Sequence, residues 1–373
     1  MRIGILTLPL HTNYGGILQA YALQTVLERM GHDVCLIEKR RTPAQLPLWK
    51  IPWAYGKRIV KNIIGHPFPI FYEQKINRED PIIKQNTDLF IHKYIKRRII
   101  DDFSEIKEHD YNAIIVGSDQ IWRPIYFDNK TGRTYLDFTK DWKIKRIAYA
   151  ASFGTDKWEY SFRQTRQCKR LIQHFDAVSM REDSGVDLCR KHFGVEAQHV
   201  LDPTMLLNKE DYIRLFEKAN VPKSKGNMLC YILDETQKRT YLVNKIAAAK
   251  GLIPFRVNSK EGNINAPLQE RIQPPVEQWL RGFYDAEFVV TDSFHACVFS
   301  ILFNKPFLAI GNASRGMSRF NSLLSMFGLE KQLTSGKSYD MKELENVDWS
   351  KINTILNEQI NMSAKFLTNN LAE

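Results

Sequence analysis

The sequence predicts an α/β protein of two domains, each with a parallel sheet covered by helices. Three observations carry that expectation. The chain opens with a strand, turn, helix, strand pattern over residues 3–37, parallel-strand text returns over residues 113–180, and a second alternation of strands and helices follows from about residue 228. Strands that are apolar throughout, rather than at alternate positions, belong in parallel sheets buried on both faces. At 373 residues the chain exceeds the size at which one core stops growing. The expected division is 1–205 and 206–342, with a helical tail over 343–373.

Taken in order, the first strand is Ile3 to Leu8. Its apolar run to Leu10 is too short for a secretion signal and has no small-residue cleavage site, so it reads as a buried strand. Asn13-Tyr14-Gly15-Gly16 turns the chain into a helix from Ile17 to Met30, which Gly31 closes, and Asp33 to Ile37 is the next strand. From Arg40 to His109 the pattern breaks: Pro43, Pro47, Pro52, Pro67, Pro69 and Pro81 interrupt any long helix. Residues 41–109 therefore read as a basic insertion in the first domain.

Strands then return at Ala113–Val116, Arg146–Ala151 and Ala177–Met180, with helical text from Tyr160 to His174 between the last two. The break at Val200-Leu201-Asp202-Pro203-Thr204 sets the domain boundary near 205. Strands of the second domain are expected at Met228–Leu233, Pro254–Val257, Phe288–Thr291 and Phe307–Ile310. The tail from Leu344 is polar and helical, and is expected to cap or cross back onto the first domain. No solenoid-period repeat is present.

Composition narrows the class. Apolar residues make up 43% of the chain and charged residues 25%, and no apolar run reaches the ~18 residues that a membrane span needs. Cys35, Cys168, Cys189, Cys230 and Cys297 are odd in number and unpaired in spacing. That argues against a zinc site or a disulfide framework, and points to a reducing cytoplasm. No metal site is expected. The net charge of +11 suits a polyanion, an anionic membrane face or a small anionic substrate.

In open parallel sheets, ligands bind beyond the carboxyl ends of the strands, where helix N-termini point free N–H groups outward. After the first strand the Asn13 to Gly16 turn offers paired glycines and a positive helix end, although a tight turn that merely needs glycine would look the same. Later strands deliver Gly117-Ser118-Asp119, Ser152-Phe153-Gly154 and Arg181-Glu182-Asp183. A guanidinium directly beyond a buried strand, as at Arg181, can grip a carboxylate or phosphate, or else a neighbouring acidic side chain. In the second domain Asp292-Ser293-Phe294-His295 places a histidine near a helix N-terminus, with Asp292 or Ser293 as its cap. Cys297 on the same helix reads as a small buried hydrophobe rather than a nucleophile.

The insertion carries Lys57-Arg58-Ile59-Val60-Lys61 and Lys93-Tyr94-Ile95-Lys96-Arg97-Arg98, with Trp49 and Trp53. Such text suits an anionic lipid surface or a polyanionic acceptor, and equally a solvated helical face. No nucleic-acid motif accompanies it, so a nucleic-acid partner is not expected.

Three blocks together resemble the polysaccharide pyruvyl transferases: Asn13-Tyr14-Gly15-Gly16-Ile17-Leu18-Gln19-Ala20-Tyr21, Val116-Gly117-Ser118-Asp119-Gln120-Ile121-Trp122, and Thr291-Asp292-Ser293-Phe294-His295-Ala296. Tyr149 to Gly154, Ser179 to Glu182 and Leu201 to Thr204 also look like blocks of that family. The resemblance implies two Rossmann-like domains in a GT-B-like fold. It implies transfer of a carboxyethylidene group from phosphoenolpyruvate to two hydroxyls of a sugar, with release of phosphate and no further cofactor. It puts Arg181, Phe294 and His295, with Ser293, at the donor site. Asn13, Tyr14, Gly15, Gly16, Gln19, Ser118 and Asp119 would face the acceptor across the cleft, with Ser152 nearby.

In that reading His295 is the acid and Asp119 orients or deprotonates a hydroxyl. The acceptor is a glycan, free or lipid-linked, and the enzyme is cytoplasmic, with peripheral contact at an anionic membrane. Phe294 stands where such a motif commonly has leucine. A glycosyltransferase using a nucleotide sugar, and a non-catalytic carbohydrate-binding protein of the same fold, are the rival readings.

Overall fold

The computed structural model describes residues 1–126, 130–311, 316–334, 344 and 346–372. The expected boundary near residue 342 lies outside the described residues. In chain order the elements are β1 (Arg2–Leu6), α1 (Tyr14–Arg29), β2 (Asp33–Lys39), α2 (Ile51–Ile63), α3 (Tyr72–Ile83), α4 (Gln85–Tyr94), β3 (Arg97–Ile100), β4 (Ala113–Val116), β5 (Lys145–Ala151), α5 (Phe162–Ile172), β6 (Ala177–Met180), α6 (Asp183–Leu188) and β7 (Gln198–His199). There follow α7 (Lys209–Lys218), β8 (Met228–Tyr231), α8 (Gln237–Lys250), β9 (Pro254–Phe255), α9 (Leu268–Arg271), α10 (Val276–Asp285), β10 (Phe288–Thr291), α11 (Phe294–Leu302), β11 (Phe307–Ile310), α12 (Ser318–Phe327), β12 (Leu333–Thr334) and α13 (Trp349–Leu371).

Two parallel sheets result. The first has seven strands in the order β3-β2-β1-β4-β5-β6-β7, and the second five in the order β12-β11-β10-β8-β9. In the first sheet β1 lies between β2 and β4, with Ile3 paired to Val34 on one side and Ala113 on the other. In the second, β10 lies between β8 and β11. The strands β4, all apolar, and β10, apolar but for Thr291, are buried along their whole length, as helix-covered parallel strands must be.

The segment 41–109 differs from its sequence reading at its C-terminal end. Residues 97–100 form β3, an edge strand whose Arg97 to Ile100 pair with Leu36 to Lys39. Phe90 and Ile91 of α4 are buried in the main core. Basic text hid this strand, because an edge strand needs only one neighbour and tolerates arginine on its open side.

The two sheets share one apolar core. Tyr14 of α1 is fully buried against Trp279 of α10, with ring centroids 5.5 Å apart, and its hydroxyl donates to the Pro274 carbonyl at 2.8 Å. The C-terminal helix α13 returns to the first sheet: Phe366 packs on Tyr149 of β5, and Ser363 Oγ accepts from the Leu201 amide at 3.0 Å.

Candidate active site

The carboxyl ends of β1, β4, β6 and β10 bring their loops to one place. Asn13 caps α1, its Oδ1 accepting from the Gly16 amide at 3.3 Å. On α11 the expected cap is corrected. Ser293 occupies the cap position but makes no side-chain capping bond. The Asp292 carboxylate turns away to accept from the Leu233 and Asp234 amides and from Arg239.

The two helix starts meet. A Cβ added at Gly15 would lie 2.0 Å from Nδ1 of His295, so glycine is required for the first turn of α1 to approach the first turn of α11. Both turns carry N–H groups without intrahelical acceptors, and both helix dipoles present their positive ends.

Arg181 lies at the end of β6 with its side chain only 1% exposed. Its Nη1 donates to Asp202 Oδ2 at 2.7 Å, and its Nη2 to Asp119 Oδ1 at 3.4 Å. The acidic partners are therefore Asp202 and Asp119, not Glu182 or Asp183. His295 Nε2 is 3.6 Å from the same Asp202 oxygen. That separation is an electrostatic contact rather than a hydrogen bond. Nε2 of His295, Nε of Arg181 and Oε2 of Glu182 are buried polar atoms without a hydrogen-bond partner among the described residues. Buried polar atoms in that condition are costly, and where several converge they mark a place for a polar ligand or water.

The electrostatics follow from this packing. Burial alone would raise the Asp202 carboxyl, but His295 and Arg181 beside it hold it well below the usual carboxylate range. Asp119 is likewise lowered against its burial by Arg181, His295 and Arg319. Arg181 is raised, because Asp202 and Asp119 outweigh its desolvation. Arg319 of α12 goes the other way: burial, with Arg181 adding repulsion, lowers it to about 10. The Phe294 ring faces both guanidiniums, 4.7 Å from Arg181 and 5.6 Å from Arg319.

The remaining expected residues fall into two groups. Gly16 lies between the Asn13 amide and Asp119: a Cβ there would sit 3.4 Å from Asn13 Nδ2 and 3.7 Å from Asp119 Oδ2. Gln19 holds the loop after β4 by accepting from the Ser118 amide at 3.0 Å while donating to Thr7 Oγ1 and the Gly16 carbonyl. Ser118 Oγ shares its proton between the Ala150 carbonyl and Asp202 Oδ2, at 3.1 and 3.2 Å. Ser152 donates to Glu182 Oε1, which also accepts from the Phe153 and Gly154 amides. Tyr14 is occupied in packing the sheets together, and Cys297 is fully buried with burial pushing its thiol far up.

Sequence reading assigned no role to Asp202, Arg319 or Thr7, and offered Glu182 only as an ion-pair partner of Arg181. Asp202 belongs to the Leu201 to Thr204 stretch, and its place just before Pro203 is the signal that it caps a short turn.

A separate cavity of about 510 Å³ opens beyond β1 and β2, lined by Thr7, Arg40, Arg41, Ile121, Tyr126 and Arg133 among others. It is not centred on Arg181 and His295. Thr7 connects it to them, since Thr7 Oγ1 donates to the Ser118 carbonyl at 3.3 Å.

The family model for polysaccharide pyruvyl transferase matches residues 13–314. The chain belongs to that family. A polysaccharide pyruvyl transferase is an enzyme, and the matched span contains Asn13, Gly15, Asp119, Arg181, Asp202, Phe294 and His295 of the site just described, with Thr7 and Arg319 lying outside it. No curated protein matches the chain.

Among solved structures, Arabidopsis thaliana UGT89C1 complexed with UDP-L-rhamnose is similar, with a TM-score of 0.50, 9% identity and coverage of 97% of this chain and 98% of that one. UDP-GlcNAc 2-epimerase from Neisseria meningitidis bound to UDP-GlcNAc aligns with a TM-score of 0.48 and 8% identity, over 100% of this chain and 99% of that one. The likeness to UGT89C1, at 9% identity, is one of fold alone: two Rossmann-like domains in a GT-B-like arrangement. Among the described residues no helix is long and apolar enough to cross a membrane.

Proposed function

We propose that this pyruvyl transferase moves a carboxyethylidene group from phosphoenolpyruvate to two hydroxyls of one sugar in a cell-surface polysaccharide or its lipid-linked precursor, with release of phosphate. The observation that carries the reading is the convergence of Arg181, His295 and two helix N-termini, where buried polar atoms lack partners among the described residues. A small donor carrying a phosphate and a carboxylate needs such cationic surroundings. Phosphoenolpyruvate is a substrate here, and the reading calls on no cofactor.

In the proposed reaction the donor's methylene carbon takes a proton and becomes the methyl group, leaving C2 electron-poor. One sugar hydroxyl adds to C2 and loses its proton. The C2–O bond to phosphate then breaks, the phosphate leaves with the bonding pair, and the second hydroxyl closes the ketal as its proton passes to the phosphate. His295 is assigned as the proton donor to the methylene carbon. Asp119, whose carboxyl is held low by Arg181 and His295, is a weak base, so its role is to orient the attacking hydroxyl beside Asn13 and Gly16. Arg181 and Arg319 offset the negative charge of the departing phosphate.

In this reading the enzyme works in the cytoplasm and meets a lipid-carried glycan at the inner membrane face. The test is incubation with phosphoenolpyruvate and candidate free or lipid-linked sugars, with phosphate release and the ketal product followed by mass spectrometry. Stoichiometric phosphate and ketal are expected. Tight binding of a nucleotide sugar, with no phosphate release on any acceptor, would replace this reading with glycosyl transfer.

A further inference from the structure

Helix α2 and the turn before it leave a large apolar surface uncovered. Trp49 is 77% exposed, Trp53 70% and Ile63 78%, and Leu48, Val60 and Ile64 are exposed beside them. At 3.6 residues per turn, Trp53, Val60 and Ile64 stack on one face of α2, with Gly56 between them. Lys50, Lys57 and Lys61 run along one border of that face. The Lys50 and Lys57 ammonium groups lie 4.8 and 5.0 Å from the Trp49 and Trp53 ring centroids.

The opposite face is anchored. Arg58 makes paired bonds to Glu73 of α3 at 2.6 and 2.8 Å, and Tyr55 packs edge-on to Phe71. The outer face is therefore presented by a fixed element and is not a fraying end.

We infer that α2 with its preceding turn is an interfacial anchor that seats this enzyme on an anionic lipid bilayer. Charge selects that occupant. Between Glu38 and Glu73 the chain has no acidic residue, while Lys39, Arg40, Arg41, Lys50, Lys57, Arg58 and Lys61 are all basic. An apolar stripe bordered by lysines, with tryptophans at its edge, is the pattern that lies in a headgroup layer: the rings sit at the interface and the lysine stems reach outward to lipid phosphates.

The anchor is also tied to the site. Asp80 of α3 bonds His11 Nε2 at 2.6 Å, two residues before the Asn13 cap. Docking α2 on a bilayer thus holds the acceptor side of the cleft close to the lipid surface. The inference does not depend on which group is transferred.

The test is co-sedimentation of the whole protein with vesicles of phosphatidylglycerol and phosphatidylcholine, and with phosphatidylcholine alone. Binding is expected to the anionic vesicles and to fall at high salt. A Lys50→Gln, Lys57→Gln, Lys61→Gln variant should bind roughly fivefold more weakly per charge removed, about a hundredfold in total. A Trp53→Glu, Ile64→Glu variant should lose binding while its circular dichroism and its phosphate release with a soluble acceptor stay unchanged, since these side chains touch nothing in the site. Equal sedimentation of parent and variants, or none by the parent, overturns the inference. So does a parent dimer in gel filtration that Trp53→Glu converts to monomer, which would assign the face to a second copy of this chain.

Discussion

Gly15 and His295 are in such close approach that a methyl group on Gly15 would fall 2.0 Å from the His295 ring nitrogen Nδ1. The contact joins the first turn of a helix from one sheet to the first turn of a helix from the other. His295 can stand beside Asp202 only because position 15 has no side chain.

Gly15→Ala is therefore expected to displace the ring and lower turnover at least tenfold. Forcing a methyl group into a packed site costs about 1–3 kcal/mol, readable as a lower thermal midpoint. Combining Gly15→Ala with His295→Ala should recover most of that stability while activity stays lost. If Gly15→Ala alone leaves both stability and rate unchanged, the approach of the two helices is looser than described.

The second prediction concerns Arg181, which the sequence offered either to a ligand or to an acidic side chain and which lies between two carboxylates. Removing it leaves Asp202 and Asp119 buried without their main counter-charge, a loss of roughly 3–5 kcal/mol. Arg181→Ala should accordingly unfold at lower denaturant as well as lose activity. His295→Ala, whose Nε2 is in electrostatic contact with Asp202 at 3.6 Å, should abolish turnover with a smaller loss of stability than Arg181→Ala. Urea titrations of the two variants separate these outcomes, and equal stability losses would contradict them.

This contrast shows what the sequence could and could not convey. Apolar runs such as Ala113 to Val116 announced their strands because burial on both faces leaves no room for polar residues. The strand at Arg97 to Ile100 was hidden, because an edge position permits basic residues. Arg181 and His295 stood out as candidates in the sequence because each follows a buried strand. That they converge on Asp202 was not, since the contact joins residues 181, 202 and 295 through the packing of two sheets. Tyr14 shows the opposite error: a neighbour in sequence of the glycine turn, it faces Trp279 and the core.

Acid sensitivity follows from the two lowered carboxyls. Asp202 and Asp119 both titrate below the ordinary value of 3.8 in the folded protein. The folded state therefore binds fewer protons than the unfolded chain as pH falls through the ordinary range. Their contribution is fully present above about pH 5 and is lost progressively as pH drops below about 4 toward the folded values. Thermal midpoints measured from pH 7 down to pH 3 should fall, and Asp202→Asn should flatten the fall. A parent profile no steeper than that of the Asn variant would show that Asp202 is not held low.

Phe294 supplies the last test, because it stands between two like charges. Its ring lies 4.7 Å from the Arg181 guanidinium and 5.6 Å from that of Arg319, both buried. The electron-rich face attracts each cation, and in a desolvated setting one such contact stabilises by about 2 kcal/mol. Leucine fills similar space but has no such face, so Phe294→Leu should cost roughly 1–2 kcal/mol in stability, more than an ordinary volume-conserving swap. Phe294→Tyr keeps the ring and should lose less. Arg319, already lowered to about 10 by burial and by Arg181, would lose a favourable contact while keeping its repulsion from Arg181. If donor phosphate binds between these two cations, adding phosphoenolpyruvate should restore more stability to Phe294→Leu than to the parent. Thermal shift with and without the donor reads this directly, and an equal shift in both proteins would mean that the two arginines do not share the donor.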